Sequence, residues 1–449
     1  MTQATISECI LNSSIYRSLI LPIVGILFIF ILLYGQTDVH VKITDSGTEK
    51  IRIAVLDFFP KNLVWNPDDR RISEVLTQTV REDLEFSPFF TVMDTAAFPQ
   101  EQGILDEKDI NFINWATAGV HAIVVPVFES KDDRIEAKVQ LFSTTYGKRI
   151  MKKSYKRERE KIHRLAHNIS DDIVKKLTGE DGIASTKIAF ISKRTGKREL
   201  FAIDYDGRSL CQWTKTNAII LSPAWSPTGD AISFTSYAKG NPDLYVLDLT
   251  RRRITVLSDF VGLNTSASWS PDGRNIVYTV SKDGNSEIYI MDVRTRRSER
   301  LTYENAIDTN PTFSPDGSRI AFTSDRSGKP QIYIMDITGI NIRRLTYEGN
   351  YNDLASWSPK GDKIAYCSRF DGLFQIAVMD VSGGIPVYLT SLGNNECPSF
   401  SPDGYHIAFA SDRLGNYKIY TMDADGANIR RITSTGWNYD PAWSPRIEY

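Results

Sequence analysis

Trp269-Ser270-Pro271-Asp272-Gly273 is one of six copies of a short phrase, an aromatic residue followed by Ser-Pro and most often Asp-Gly. The six prolines are Pro227, Pro271, Pro315, Pro359, Pro402 and Pro445, so the copies recur every 43 or 44 residues. Each residue of the phrase suits a tight reversal. Pro fits the fixed φ of the second turn position, Asp tolerates the third and can bond the backbone, and Gly takes the positive φ that completes it. The phrase therefore closes one strand and opens the next. After it come Ile276-Val277-Tyr278, a turn at Gly284 and Asn285, then Ile288-Tyr289-Ile290-Met291-Asp292, and finally Arg300-Leu301-Thr302. Short β-branched and aromatic runs between turn residues predict a four-strand meander. A period of this length built from strands predicts propeller blades, because helical repeats carry an apolar spacing of about 3.6 residues instead.

The two ends of the repeat region complement each other. The first unit, from about Lys187 to Thr214, lacks an aromatic-Ser-Pro strand, whereas Trp443-Ser444-Pro445 has no further strands behind it. Six starts and six remainders predict a six-bladed propeller in which the last strand completes the first blade, hiding the edges that an open sheet would expose.

Upstream the pattern changes. The apolar run Leu19–Tyr34 follows Arg17 and precedes Gln36-Thr37-Asp38. Its sixteen residues are long for a signal peptide and short for a spanning helix. Residues 1–35 are thus read as a signal peptide or a membrane anchor, and in both readings the positive flank keeps the N-terminus inside and exports the rest. A buried core helix is disfavoured, since the run has no polar face. Residues 36–182 read as a small α/β domain. Strands are expected at Ile51–Phe58, Phe89–Met93 and Ala122–Phe128, a hairpin at Arg134–Tyr155, and helices along Ile72–Leu84, Ile110–Ala118 and Ile162–Leu177. The fold class is therefore an α/β N-terminal domain followed, at 183–449, by an all-β six-bladed β-propeller.

Composition excludes some functions. With 53 basic and 55 acidic residues the net charge is −2, which leaves no electrostatic footprint for nucleic acid. The basic run Lys148–Lys161 reads as a solvated hairpin and helix start. Cys9, Cys211, Cys367 and Cys397 show no metal-binding spacing, and no disulfide is expected, Cys367 with Cys397 being the one conceivable pair. No Gly-x-Ser-x-Gly elbow occurs, and the repeat region holds a single histidine, His406, too few for a metal-assisted lyase. His163 and His167 stand four apart on a helix, a spacing that zinc can use, but no third ligand accompanies them and a solvated helix flank is the simpler reading. Neither metal nor cofactor is expected.

The informative polar positions precede each aromatic-Ser-Pro strand. Five residues ahead of the aromatic stand Asn264, Asp308, Asn352, Asn395 and Asn438, with Ile220 as the exception, followed by Thr265, Thr309, Asp353, Glu396 and Tyr439. In a meander the loop entering the innermost strand lies at one face of the disc, so these residues are expected to ring the channel mouth. Loop capping by Asn and Asp is the competing reading. A concave polar ring on repeat loops is where such scaffolds bind.

The passage Leu177-Thr178-Gly179-Glu180-Asp181-Gly182-Ile183-Ala184-Ser185-Thr186-Lys187-Ile188-Ala189-Phe190, leading from a helix into the first blade, resembles the joining segment of the TolB family, periplasmic components of the Tol-Pal system. The likeness takes in the strand at Ile51–Phe58, Phe112 and Trp115 ahead of Ala122-Ile123-Val124, and the six blades. Ile183-Ala184 departs from it, standing where the family usually has an aromatic.

The resemblance implies a non-enzymatic scaffold that supports outer-membrane integrity and envelope constriction during division. It further implies a channel mouth that receives the Pal lipoprotein through Asn264, Thr265, Ser266, Asp308, Thr309, Asn352, Asp353, Asn395, Glu396 and Tyr439. A segment near 36–48 would dock on TolA, and other envelope proteins are further candidate partners. A retained hydrophobic run would tether the protein to the inner membrane. The alternative is a membrane-anchored ligand-binding or enzymatic propeller of the peptidase or lyase type.

Overall fold

The computed structural model describes residues 49–99, 103 and 106–447. The hydrophobic run and the 36–48 segment lie outside these residues, and no helix among the described residues is long and apolar enough to cross a membrane.

The N-terminal domain is one sheet with helices. Its strands are β1 (Ile51–Val55), β2 (Phe59–Pro60), β3 (Phe90–Val92), β4 (Ala122–Lys131), β5 (Arg134–Ser143) and β6 (Lys148–Glu158), in the order β3-β1-β4-β5-β6 with β2 beside β4. The first strands run parallel and the β4-β5-β6 meander antiparallel. Helix α1 (Pro67–Phe86) begins five residues before the expected apolar stripe at Ile72–Leu84. Asn66 accepts from the Asp69 amide at 3.0 Å while Asp69 accepts from the Asn66 amide at 3.1 Å, and Pro67 opens the first turn. The short α2 (Phe112–Thr117) buries Trp115 against Ala54, Leu56, Ile123 and Val125. Alternation along β1 turns the buried Ile53 and Val55 to the other face of the sheet. Helix α3 (Ile162–Thr178) packs against α1 and stops at Gly179, whose φ of 80° only glycine adopts freely.

The remaining strands form six four-stranded antiparallel sheets, and Asn438–Trp443 pairs with Lys187–Ser192 to complete the first. The aromatic-Ser-Pro phrase makes the turn expected of it: Ser270 Oγ donates to Asp272 at 2.6 Å and the Gly273 amide to the Ser270 carbonyl at 2.9 Å. The structure adds a second reason for the repeat. A Cβ on Gly273 would stand 3.4 Å from Pro227 of the preceding blade, and Gly317, Gly361 and Gly404 meet Pro271, Pro315 and Pro359 in the same way. Each turn rests on its neighbour. The tryptophans tie blades together as well, Trp269 Nε1 donating to Ser233 Oγ at 3.0 Å and Trp225 Nε1 to the Ala442 carbonyl at 3.0 Å. Between adjacent sheets the apolar side chains interdigitate, as Val277 and Ile288 do with Phe313, Phe322 and Met335. The described cysteines carry free thiols, so Cys367 and Cys397 form no bridge.

Candidate functional site

Every innermost strand breaks its ladder at the same place. In Asn264–Trp269 the register shifts between Thr265 and Ser268, and the other five strands shift at the equivalent pair. The residue at each bulge, Ser222, Ser266, Asn310, Leu354, Cys397 or Asp440, has φ near +50° and lines the central channel, a cavity of about 350 Å³. The position after it is Pro in four of the six strands, where the bulge leaves no ladder bond for an amide to make.

This geometry divides the polar positions into two sets. Asn264, Asp308, Asn352 and Asn395, like their counterpart Asn438, are fully buried and do not line the mouth. They brace the loop that enters the strand: Asn264 Nδ2 donates to the Phe260 carbonyl at 2.7 Å, Asn352 Nδ2 to the Glu348 carbonyl at 2.7 Å, and Asn395 Nδ2 to the Gly393 carbonyl at 3.0 Å. The expectation that they ring the channel is corrected, and the loop-capping reading describes them. Asp308 accepts from Arg326 at 2.8 Å, and burial pushes its carboxyl up against the opposing pull of Ser324 and Arg326. Thr265, Ser266, Thr309, Asp353, Glu396 and Tyr439, by contrast, are half-buried, and of these Ser266 lines the channel itself.

The funnel is electrically lopsided. Asp353, Glu396 and Asp440 come from three successive blades, whereas Ser222, Thr265, Ser266 and Thr309 give the other half neutral hydroxyls. Asp353 accepts from Asn310 Nδ2 at 2.8 Å and Thr323 Oγ1 at 2.7 Å. Burial raises the Glu396 carboxyl, Asp440 and Asp412 adding to it against the hydrogen bond from Tyr417. Burial, then Asp440 and Glu396, hold the Cys397 thiol well above its ordinary value, so it stays a thiol that donates to Asp440 at 3.4 Å. No histidine lines this channel among the described residues.

Around the funnel, each of the six loops entering an innermost strand exposes a large apolar residue: Ile219, Val261, Ile307, Tyr347, Leu392 and Trp437. Sequence reasoning named Ser266 but missed this ring and the other five bulge residues. The signal was present two residues after each fixed Asn or Asp, but simple alternation hides it, since a bulge shifts which face a side chain takes.

The N-terminal domain sits at the opposite face, on turns of the first and sixth blades. The Phe86 ring stacks on His406 at 4.1 Å, and Phe89 meets Tyr405 edge to face at 5.2 Å. Asp83 on α1 accepts from Tyr205 Oη at 2.6 Å, and Arg208 donates to Glu82 at 2.8 Å. His167 belongs to this junction. It is buried against Asp83, so the expectation of a solvated helix flank is corrected; the flank faces the propeller and not water. Burial pulls its imidazole down, but Asp83 and Asp206 outweigh that and raise it to about 9. His163, one turn earlier, pairs instead with Thr79 Oγ1 at 3.1 Å. In the linker, Asp171 accepts from the Ala184 and Ser185 amides at 2.7 and 3.0 Å.

Fold and channel together define a two-domain β-propeller protein. Residues 174–447 match the family described as the TolB beta propeller domain, and residues 39–150 match the TolB amino-terminal domain. The chain belongs to the TolB family. It is 40% identical over 193 residues to the Tol-Pal system protein TolB of Geobacter sulfurreducens, covering 43% of this chain and 44% of that one. The corresponding protein of Geobacter metallireducens is 40% identical over 216 residues, 48% and 49% of the two chains. The chain thus spans about half the length of the curated relatives it matches. The crystal structure of TolB from Acinetobacter baumannii superposes with a TM-score of 0.76 at 30% identity, covering 90% of this chain and 99% of that one.

Proposed function

We propose that this protein is a non-enzymatic docking component of a Tol-Pal system, working in the periplasm. It receives the Pal lipoprotein at the channel mouth and TolA through the segment at 36–48, and so supports envelope integrity and constriction. One observation carries the reading: six exposed apolar residues, Ile219, Val261, Ile307, Tyr347, Leu392 and Trp437, surround a polar funnel on the face that the N-terminal domain leaves free. An apolar ring of this kind marks a protein interaction surface. Within it, Thr265, Ser266, Thr309, Asp353, Glu396 and Tyr439 are the groups that meet Pal, while Asn264, Asp308, Asn352 and Asn395 hold their loops in shape.

The test is a binding titration with purified Pal. Thr309→Trp is expected to weaken binding with little change in the melting curve, because Thr309 is half-buried and not one of the buried core residues. Undiminished affinity would place Pal elsewhere. Deleting 36–48 is expected to abolish TolA binding and spare Pal binding; retained TolA binding sinks that half of the proposal.

A further inference from the structure

Among the described residues, two buried imidazole nitrogens at the junction between the domains have no hydrogen-bond partner, His406 Nδ1 and His167 Nε2. His167 is 2% exposed and its Nδ1 faces both oxygens of Asp83 at 3.0 and 2.9 Å, yet Nε2 has no hydrogen bond. The facing carboxylate oxygen, Asp206 Oδ2, stands 3.6 Å away, too far for a good hydrogen bond. Two ligands of one tetrahedral zinc ion, each bonded at about 2.0–2.1 Å, stand roughly 3.4 Å apart. Asp204 adds a third donor, the ligand atoms of His167, Asp204 and Asp206 lying within 4.8 Å of one another.

We propose that His167 Nε2, Asp204 and Asp206 form a site for a divalent cation of the zinc type, joining α3 of the N-terminal domain to the first propeller blade. The surroundings are arranged as such a site requires. Asp83 accepts the hydrogen bond from Nδ1–H, so Nε2 is the nitrogen that meets the metal, which displaces its proton, in the carboxylate-histidine-metal arrangement. Tyr205, by donating to Asp83 at 2.6 Å, fixes that carboxylate in turn.

Charge bookkeeping agrees. Asp83, Asp204, Asp206 and Glu82 are four carboxylates, and Lys187 on Asp204 with Arg208 on Asp206 and Glu82 supply two positive charges. An imidazolium leaves one negative charge uncompensated, whereas a divalent ion with neutral imidazole balances the set. Lys187 holds one oxygen of Asp204, so its charge stays in the set while the other oxygen of that carboxylate meets the ion. Sequence spacing offered only His163 as a companion for His167; the fold instead brings the partners from the turn after the first blade's third strand.

The experiment uses the untagged full chain after chelator treatment, titrated with zinc chloride by calorimetry and followed by thermal melting. One ion per chain with a raised Tm is expected, since a ligand that binds the folded state stabilises it. His167→Gln and Asp206→Asn should each weaken uptake about tenfold or more. Wild-type uptake no greater than that of His167→Gln overturns the proposal. Should that variant fail to fold, zinc K-edge absorption of the loaded wild-type protein decides: one imidazole nitrogen with carboxylate oxygens supports the site, while oxygen alone or several imidazoles refutes it.

Discussion

Ser192 donates a hydrogen bond to Asn438 at 2.7 Å, joining residues 246 positions apart in the chain. Both are fully buried, and Asn438 also donates to Thr433 Oγ1 at 2.9 Å and to the Thr435 carbonyl at 2.9 Å. The clasp that closes the disc therefore contains a buried polar network, in which a missing member leaves its partners unpaired. Replacing Asn438 with Ala is expected to cost about 1–3 kcal/mol, the penalty of leaving buried groups unpaired. A Tm equal to the wild type in a thermal melt would show that closure does not depend on this residue.

The divided roles at the mouth make opposite predictions for neighbouring positions. Asn264→Ala should lower stability by about 1–3 kcal/mol, because it frees the Phe260 and Gly262 carbonyls and the Ser258 hydroxyl inside the loop. Thr265→Ala, at the half-buried adjacent position, should change stability by less than about 1 kcal/mol. Urea titration separates the two; equal losses contradict the division.

Leu354 is the one bulky apolar residue among the six left-handed bulge positions, with φ of 57°. Backbone strain of this type costs on the order of 1 kcal/mol for a residue with a bulky side chain, and Asn tolerates it better. Leu354→Asn is expected to stabilise the protein by about 0.5–1 kcal/mol, as the Asn310 position suggests, and a loss of stability would mean that Leu354 packs more than it strains.

Gly182 lies against Asp171 so closely that a Cβ there would stand 2.5 Å from the Asp171 Cα. Neither backbone can yield without moving the linker away from α3. Gly182→Ala should destabilise by roughly 2–3 kcal/mol, measured by chemical denaturation, and an unchanged midpoint would mean that the linker shifts freely.

Asp171 gives the same linker a pH dependence. Burial is the largest influence on it and raises its carboxyl to about 6, although Ser185 and the Ala184 amide pull it down. Its ordinary value is 3.8, so the folded state holds the proton more tightly than the unfolded chain. This contribution is complete below pH 3.8 and is lost as pH rises through about 6, by on the order of 3 kcal/mol. Comparing wild type with Asp171→Asn across pH 4–7 isolates it: the difference in stability should shift toward the variant as pH rises, and a flat difference refutes the assignment.

Much of this architecture was legible in the chain because turn chemistry repeats. Pro271, Asp272 and Gly273 report a reversal by their own backbone preferences, and five near-copies fix the period, so blade number and closure needed no tertiary knowledge. The helices were readable from their apolar stripes, Ile72–Leu84 and Ile162–Leu177, although the first begins earlier, at Asn66-Pro67, where a polar capping turn carries no apolar period. The channel was harder. Asn264 and Thr265 look alike as polar loop residues, and only their strand pairing, Asn264 opposite Val280 and Thr265 opposite Thr279, turns the two side chains to opposite faces. The domain junction was hidden for another reason: nothing local to His167 announces Asp83, 84 positions earlier, or Asp206 beyond the linker.

The strand Asn438–Trp443, seated beside Lys187–Ser192, also governs how the molecule can come into being. Chain-closure entropy grows with the logarithm of the separation, and ladders between distant segments form slowly. Five sheets can assemble from neighbouring hairpins as they emerge, but the first must stand with a bare inner edge until the final strand arrives. During that interval it can pair with any passing extended segment, so a proteolytic nick or an early stop in the last few dozen residues would leave an adhesive half-ring instead of a slightly shortened protein.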